Sequence, residues 1–141
     1  MTPPSSLDYA GDISVQDAWA RLKTGARLVD VRTVAEWNFV GLPDLGATPV
    51  HCVEWQSFPS GAPNPAFVAQ VESELGPDKA TPVLLLCRSG ARSRAAAIAL
   101  TRAGFSQAFN IAGGFEGDAD GEGHRGNVNG WKAANLPWRQ G

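Results

Sequence analysis

Cys87 is followed by Arg88, Ser89, Gly90, Ala91, Arg92 and Ser93, so one potential nucleophile is trailed by two guanidinium groups and by residues too small to block approach. The cysteine closes the apolar run "VLLL" at 83–86, and the alanine-rich segment "RAAAIAL" follows the loop. Where a strand turns into a helix, backbone N–H groups point outward and the helix dipole is positive. A glycine in such a turn lets successive N–H groups converge on one anion. That setting favours a thiolate and raises its nucleophilicity at neutral pH. Arginines in the first helical turn oppose the dipole, so a pair of them there points to anion binding. Cys87 is therefore the candidate catalytic residue. Arg88, Ser89, Gly90, Ala91, Arg92 and Ser93 form the candidate substrate-binding loop.

The elements that must hold this loop alternate between two periodicities. "SVQDAWARLKTG" has a capping pattern at Ser14 and Asp17, apolar residues at helical spacing and a closing Gly25, which predicts a short amphipathic helix. "ARLVDV" reads as a buried strand, "TVAEWNFVG" as a brief helix capped by Thr33, and "ATPVHCV" as a weaker edge strand. "NPAFVAQVESELG" predicts a helix opened by Pro65, and "TPVLLLC" a central strand covered on both faces. "ARSRAAAIALTRAG" predicts a helix closed by Gly104, "AFNIAG" a last strand, and "NGWKAANL" a final helical turn. Strands alternating with helices imply a three-layer α/β fold, a parallel sheet of about five strands flanked by helices. Ligands in such sheets bind beyond the carboxyl ends of the strands, where Cys87 falls.

With 141 residues the chain suits one domain, taken as 13–141 behind a proline-rich tail at 1–12. A formal charge of −2 provides no global field for nucleic acid or an anionic membrane. The start lacks a basic segment followed by an apolar one, and no apolar run reaches membrane-spanning length, so the expectation is a cytoplasmic protein. The two cysteines, Cys52 and Cys87, are too far apart for a CxxC pair and form no zinc pattern. Free thiols are expected, with Cys52 as core filler. "DADGEG" at 118–123 looks like the start of a calcium loop, but Asn129 stands where the bidentate glutamate belongs. It reads as a solvated loop, and neither metal nor organic cofactor is expected.

Together, "CRSGARS", "LVDVR" with Glu36 and Trp37, "FNIAGG" and "GWKAANLPW" resemble the rhodanese-like sulfurtransferases, over nearly the whole chain from Ile13 to Trp138. The resemblance implies a five-stranded parallel sheet. It also implies a cysteine that takes sulfane sulfur from thiosulfate or a persulfide and hands it to a thiophilic acceptor. Cys87 matches the persulfide carrier, and Arg88 to Arg92 match the cradle, with both arginines on the substrate's sulfonate oxygens. Asp30, Arg32 and Glu36 match positions that are structural in that family. The implied partners are a small anionic sulfur donor resembling thiosulfate and a thiol acceptor or sulfur-relay protein. Two departures stand out: "GLPDLGA" lacks a histidine common there, and "FEGDADGEGHRGNVNG" is longer than the usual connection, with His124 and Arg125 read as surface residues of that loop.

Two other readings use the same residues. Cysteine phosphatases and arsenate reductases share the strand-loop-helix, but with a Cys-x5-Arg loop; here Cys87 and Arg92 enclose four residues. A binding module without activity is the other alternative, since the fold alone confers none.

Overall fold

Val83–Leu86 (β5) is the middle strand of a parallel five-stranded sheet, and each of its four side chains is completely shielded from solvent. The computed structural model describes residues 8–57 and 60–140; the proline-rich run at 2–6 lies outside them. In chain order the elements are β1 (Gly11–Ile13), α1 (Val15–Leu22), β2 (Arg27–Asp30), α2 (Val34–Phe39), β3 (Leu42–Pro43), β4 (Val50–Cys52), α3 (Phe67–Leu75), β5, α4 (Ala91–Arg102), β6 (Ala108–Ile111), α5 (Gly130–Ala133) and β7 (Trp138–Arg139). The large sheet runs β1-β6-β5-β2-β4, all parallel, while β3 and β7 form a small antiparallel pair.

Side chains on β5 alternate between two apolar layers, as a pleated strand requires. Val83, Leu85 and Cys87 pack with α3 and α4, through Phe67, Val71, Ala96, Ala97 and Leu100. Leu84 and Leu86 pack on the other face with Val15, Ala18 and Leu22 of α1 and with Trp131 of α5. Each shielded Leu or Phe of these layers contributes about 1.5–3 kcal/mol. This is the expected three-layer α/β arrangement.

Several boundaries differ from the sequence reading. The sheet begins at Gly11, inside the segment taken as a tail, because β1 pairs with β6 in register Gly11–Phe109. A three-residue edge strand leaves too little alternation for a sequence to betray. The helix expected from Pro65 starts at Phe67, after the Asn64 side chain accepts from the Ala66 N–H. The final helical segment shrinks to Gly130–Ala133, and the β3–β7 pair was not anticipated. Cys52 is exposed on edge strand β4, not core filler.

Thr33 and Glu36 complete a capping box at the start of α2, as the threonine suggested. Asp30 and Arg32 form a fully buried bidentate pair, and Arg32 Nη2 also donates to the Gly41 carbonyl at 2.8 Å. They tie the end of β2 to the chain leaving α2, the structural role the sequence resemblance implied.

Candidate active site

Cys87 follows β5 directly, and its sulfur is buried where the chain turns into α4. The Gly90 N–H donates to Sγ at 3.0 Å, and Ser93 Oγ lies 3.2 Å from it. Gly90 has φ +123°, a conformation open to glycine, and this turns its amide back onto the sulfur. No side chain caps α4, which leaves the N–H groups of its first turn without a capping partner. Ser93 is buried because it heads the stripe Ser93, Ala96, Ala97, Leu100 by which α4 meets the sheet.

A polar chain runs from Cys87 through the core to the edge of the sheet. Ser93 Oγ contacts both the Gly90 carbonyl and Asn110 Oδ1. Asn110 is buried, and its Nδ2 donates to Asp12 Oδ1 at 2.9 Å, to which the Tyr9 hydroxyl also donates at 2.8 Å. Because Asp12 takes the amide end of Asn110, the carbonyl end faces Ser93. The single Ser93 hydroxyl proton thus has three acceptors within reach: the Gly90 carbonyl, Asn110 Oδ1 and the Cys87 sulfur. The sequence reading missed this relay; an asparagine inside the otherwise apolar "AFNI" was its signal.

The two arginines are placed differently. Arg88 is exposed and has no ion-pair partner among the described residues. Arg92, expected on the substrate, is instead held by Glu36: Nη1 donates to Oε1 at 2.7 Å and Nη2 to Oε2 at 2.8 Å. Glu36 also accepts from the N–H and hydroxyl of Thr33, at 3.1 Å each. Burial alone would raise the Glu36 pKa, but the Arg92 and Thr33 bonds outweigh it and hold the carboxyl below its ordinary value. Arg92 is correspondingly raised, chiefly by its hydrogen bonds to Glu36. Glu36 thus reaches the active loop as well as capping α2, beyond its expected role.

Gln56, Cys87, Arg88, Ser89, Ala91 and Arg92 line a cradle of about 220 Å³ over the sulfur. Beside it lies a cleft of about 690 Å³ that shares Gln56, Arg88 and Arg92. Phe39, Val40 and Ala35 give that cleft its apolar wall, and Glu116 contributes a second carboxylate. Phe39 is 79% exposed, unusual for a side chain of its size. Gly90 and Ser93, both buried, form the floor under the cradle and not its lining.

The base of the long loop is bonded to the site. Phe115 N–H donates to the Cys87 carbonyl at 2.8 Å, and the Glu116 and Gly117 N–H groups to that of Arg88 at 3.0 Å each. His124 and Arg125 do not line the cleft; Arg125 Nη1 donates to the Gly117 carbonyl at 2.6 Å. Asp120 caps its own turn, accepting from the Glu122 and His124 N–H groups. Among the described residues no group of His, Cys, Asp or Glu side chains is arranged to hold a metal, and no helix is long and apolar enough to cross a membrane. Both cysteines are free. Although Cys52 is exposed, crowding around its sulfur and the Asp30 carboxylate push its thiol up to about 12, which leaves it protonated and unreactive near neutral pH. Trp55 packs edge-on against Phe67 and leaves the rim to its neighbour Gln56.

Fold and cradle together define the rhodanese-like class of α/β domains. Residues 10–141 match the family model described as the STR4 middle domain, and the chain belongs to that family. The crystal structure of Rv0390 from M. tuberculosis is similar, with TM-score 0.85 and 48% identity, covering 94% of this chain and 99% of that one. Thiosulfate sulfurtransferase 18 of Arabidopsis thaliana is 32% identical over 111 residues, 73% of this chain and 74% of its own length. An uncharacterized protein of Rickettsia conorii is 37% identical over 115 residues, 81% of this chain and 83% of its own. The polysulfide-sulfur transferase of Wolinella succinogenes shares the fold at 22% identity and TM-score 0.59, covering 95% of this chain and 80% of that one.

Proposed function

We propose that this protein is a sulfurtransferase that carries sulfane sulfur as a persulfide on Cys87. The carrying observation is a buried sulfur, held by the Gly90 N–H and Ser93, at the floor of a cradle with space for one small group above it. In the first half-reaction the Cys87 thiolate attacks the outer sulfur of thiosulfate or of a persulfide. Thiosulfate releases sulfite, whose charge is met by Arg88 and the amides of the first turn of α4. In the second half-reaction a thiophilic acceptor, such as cyanide, a small thiol or a sulfur-relay protein, removes the outer sulfur and restores the thiolate. The relatives named as thiosulfate sulfurtransferases support the reaction class. The two free thiols suit a reducing, cytoplasmic setting.

Intact mass decides the matter. The purified protein is treated with thiosulfate, desalted, weighed and then exposed to cyanide. The expected result is a gain of one sulfur atom, mapped to Cys87 and removed by cyanide. A mass that does not change with thiosulfate or with an organic persulfide would end this reading.

A further inference from the structure

Two features of the cradle bear on which donor it accepts, and both depend on the sulfurtransferase reading. One is charge. The cleft and cradle are lined by two guanidinium groups, Arg88 and Arg92, and by two carboxylates, Glu36 and Glu116, so their formal charges cancel. Moreover, Arg92 is already engaged by both oxygens of Glu36, and Glu36 is itself held by Thr33. The pair uses two of the five N–H donors of Arg92, and a donor anion that drew on the others would lie against the Glu36 carboxylate, which already offsets the guanidinium charge. The other feature is shape. A cradle of about 220 Å³ is large enough for a thiosulfate-sized ion, yet it joins a cleft of about 690 Å³ walled by Ala35, Phe39 and Val40. Phe39 offers that wall an almost uncovered ring.

We infer that the Cys87 cradle is built for an organic persulfide, R–S–SH, a donor with at most one negative charge and a carbon substituent that lies along Phe39, and that Glu36 is the residue that turns it away from the compact dianion thiosulfate. The step balances without a further reagent. The Cys87 thiolate attacks the outer sulfur, a Cys87–S bond forms, the R–S to S bond breaks, and R–S⁻ leaves with the electron pair: Cys87–S⁻ + R–S–SH gives Cys87–S–SH + R–S⁻. One leaving thiolate needs one cation, which Arg88 supplies without disturbing the Glu36–Arg92 pair.

The test compares rates of Cys87 loading, read by intact mass in single-turnover experiments, with benzyl persulfide released in situ and with thiosulfate. Wild-type protein should load from the persulfide at least roughly tenfold faster per molar than from thiosulfate. E36Q, which frees Arg92 and removes one negative charge, should speed thiosulfate loading about tenfold, the return expected from one recovered charge-assisted contact. F39S should lower the persulfide-to-thiosulfate ratio from the other side, by slowing persulfide loading. Because Phe39 is exposed, that variant keeps its fold even if E36Q does not. Thiosulfate loading as fast as persulfide loading in the wild type, or a ratio that neither substitution moves, would overturn the inference while leaving the sulfurtransferase reading intact. Failure of both donors to load Cys87 would overturn that reading itself.

Discussion

Glu36 grips Arg92 with both carboxylate oxygens, at 2.7 and 2.8 Å, and so clamps α2, which follows β2, to α4, which follows β5. The pair stands at the mouth of the cradle, so Arg92 serves the architecture before it can serve a substrate. The arginines should therefore respond differently to substitution. Arg88→Ala should raise the Michaelis constant for thiosulfate about tenfold in any background, the loss of one charge-assisted contact. Arg92→Ala should show a comparable effect only when E36Q has first released the guanidinium. On its own it strands a partly buried carboxylate and should cost about 1–2 kcal/mol of stability. Steady-state kinetics and chemical denaturation of the singles and the double read both effects. Equal Michaelis constants for E36Q and the E36Q/R92A double would refute this assignment.

Cys87→Ser should abolish sulfur transfer without unfolding the protein, since a hydroxyl cannot carry sulfane sulfur and Ser93 and Gly90 still have a small polar partner. Cys52→Ser should keep wild-type turnover, because that thiol stays protonated at neutral pH and lies on edge strand β4, away from the cradle. Loss of transfer in Cys52→Ser would reveal a two-thiol scheme.

Cleavage of an aryl phosphate should be undetectable. Four residues between Cys87 and Arg92 close a cradle of about 220 Å³, and Arg92, which would have to meet a phosphoryl oxygen, is already claimed by Glu36. Inserting one glycine before Arg92 should slow sulfur transfer by at least about tenfold, because displaced reacting groups lose the advantage of fixed geometry. Phosphate release assays and cyanide-dependent turnover measure the two outcomes. Efficient phosphate release by the wild type would show that loop length does not discriminate here.

How far the sequence led depended on whether a feature was local. Cys87 and its turn, the central strand and the Thr33 cap are each written in a handful of consecutive residues, and the structure has the turn, the strand and the cap at those positions. The Glu36–Arg92 pair joins positions 56 residues apart, and the Asn110–Asp12 bond joins positions 98 apart. Each partner looks ordinary in its own segment; only β2 beside β5, and β1 beside β6, brings them together. Arginine after a nucleophilic cysteine suggests anion binding, but nothing near it in the chain discloses that a glutamate has reached it first.

The same pair makes stability depend on pH in a defined direction. Glu36 is held below its ordinary pKa, so the unfolded chain binds its proton more readily than the folded one. Its contribution is complete above the unfolded carboxylate value of about 4.3 and is lost as pH falls through the lower folded value. E36Q has no proton to bind, so the stability advantage of wild type over E36Q, about 1 kcal/mol near neutral pH for such a partly buried pair, should shrink toward zero in acid. Denaturation midpoints of both proteins across the acid range read the difference, and an advantage that grows on acidification would contradict the pair's assignment.

The last prediction separates the base of the 115–130 loop from its tip. The glycine- and acid-rich segment reads from sequence as a solvated loop, yet its first three residues donate to the carbonyls of Cys87 and Arg88 and so hold the Cys87 loop from behind. Gly114, with φ +61°, packs so close that a Cβ would overlap the Cys87 carbonyl and come within 2.6 Å of the Arg88 backbone. Gly117, with φ +76°, would overlap Asn129 in the same way. Gly114→Ala should therefore cost several kcal/mol through backbone collision in the left-handed region, and it should disturb Cys87 in whatever fraction still folds. The tip closes on itself through Asp120, and none of its side chains reaches the cleft. Replacing Ala119–Asn127 with a short Gly-Ser bridge should thus preserve the fold and keep cyanide-dependent turnover within about twofold, in line with the tolerance of surface loops to length changes. Turnover and persulfide lifetime on the two variants settle the point. If the tip replacement instead shortens the persulfide lifetime several-fold while the melting curve stays put, the tip is a lid after all, and the base is only its hinge.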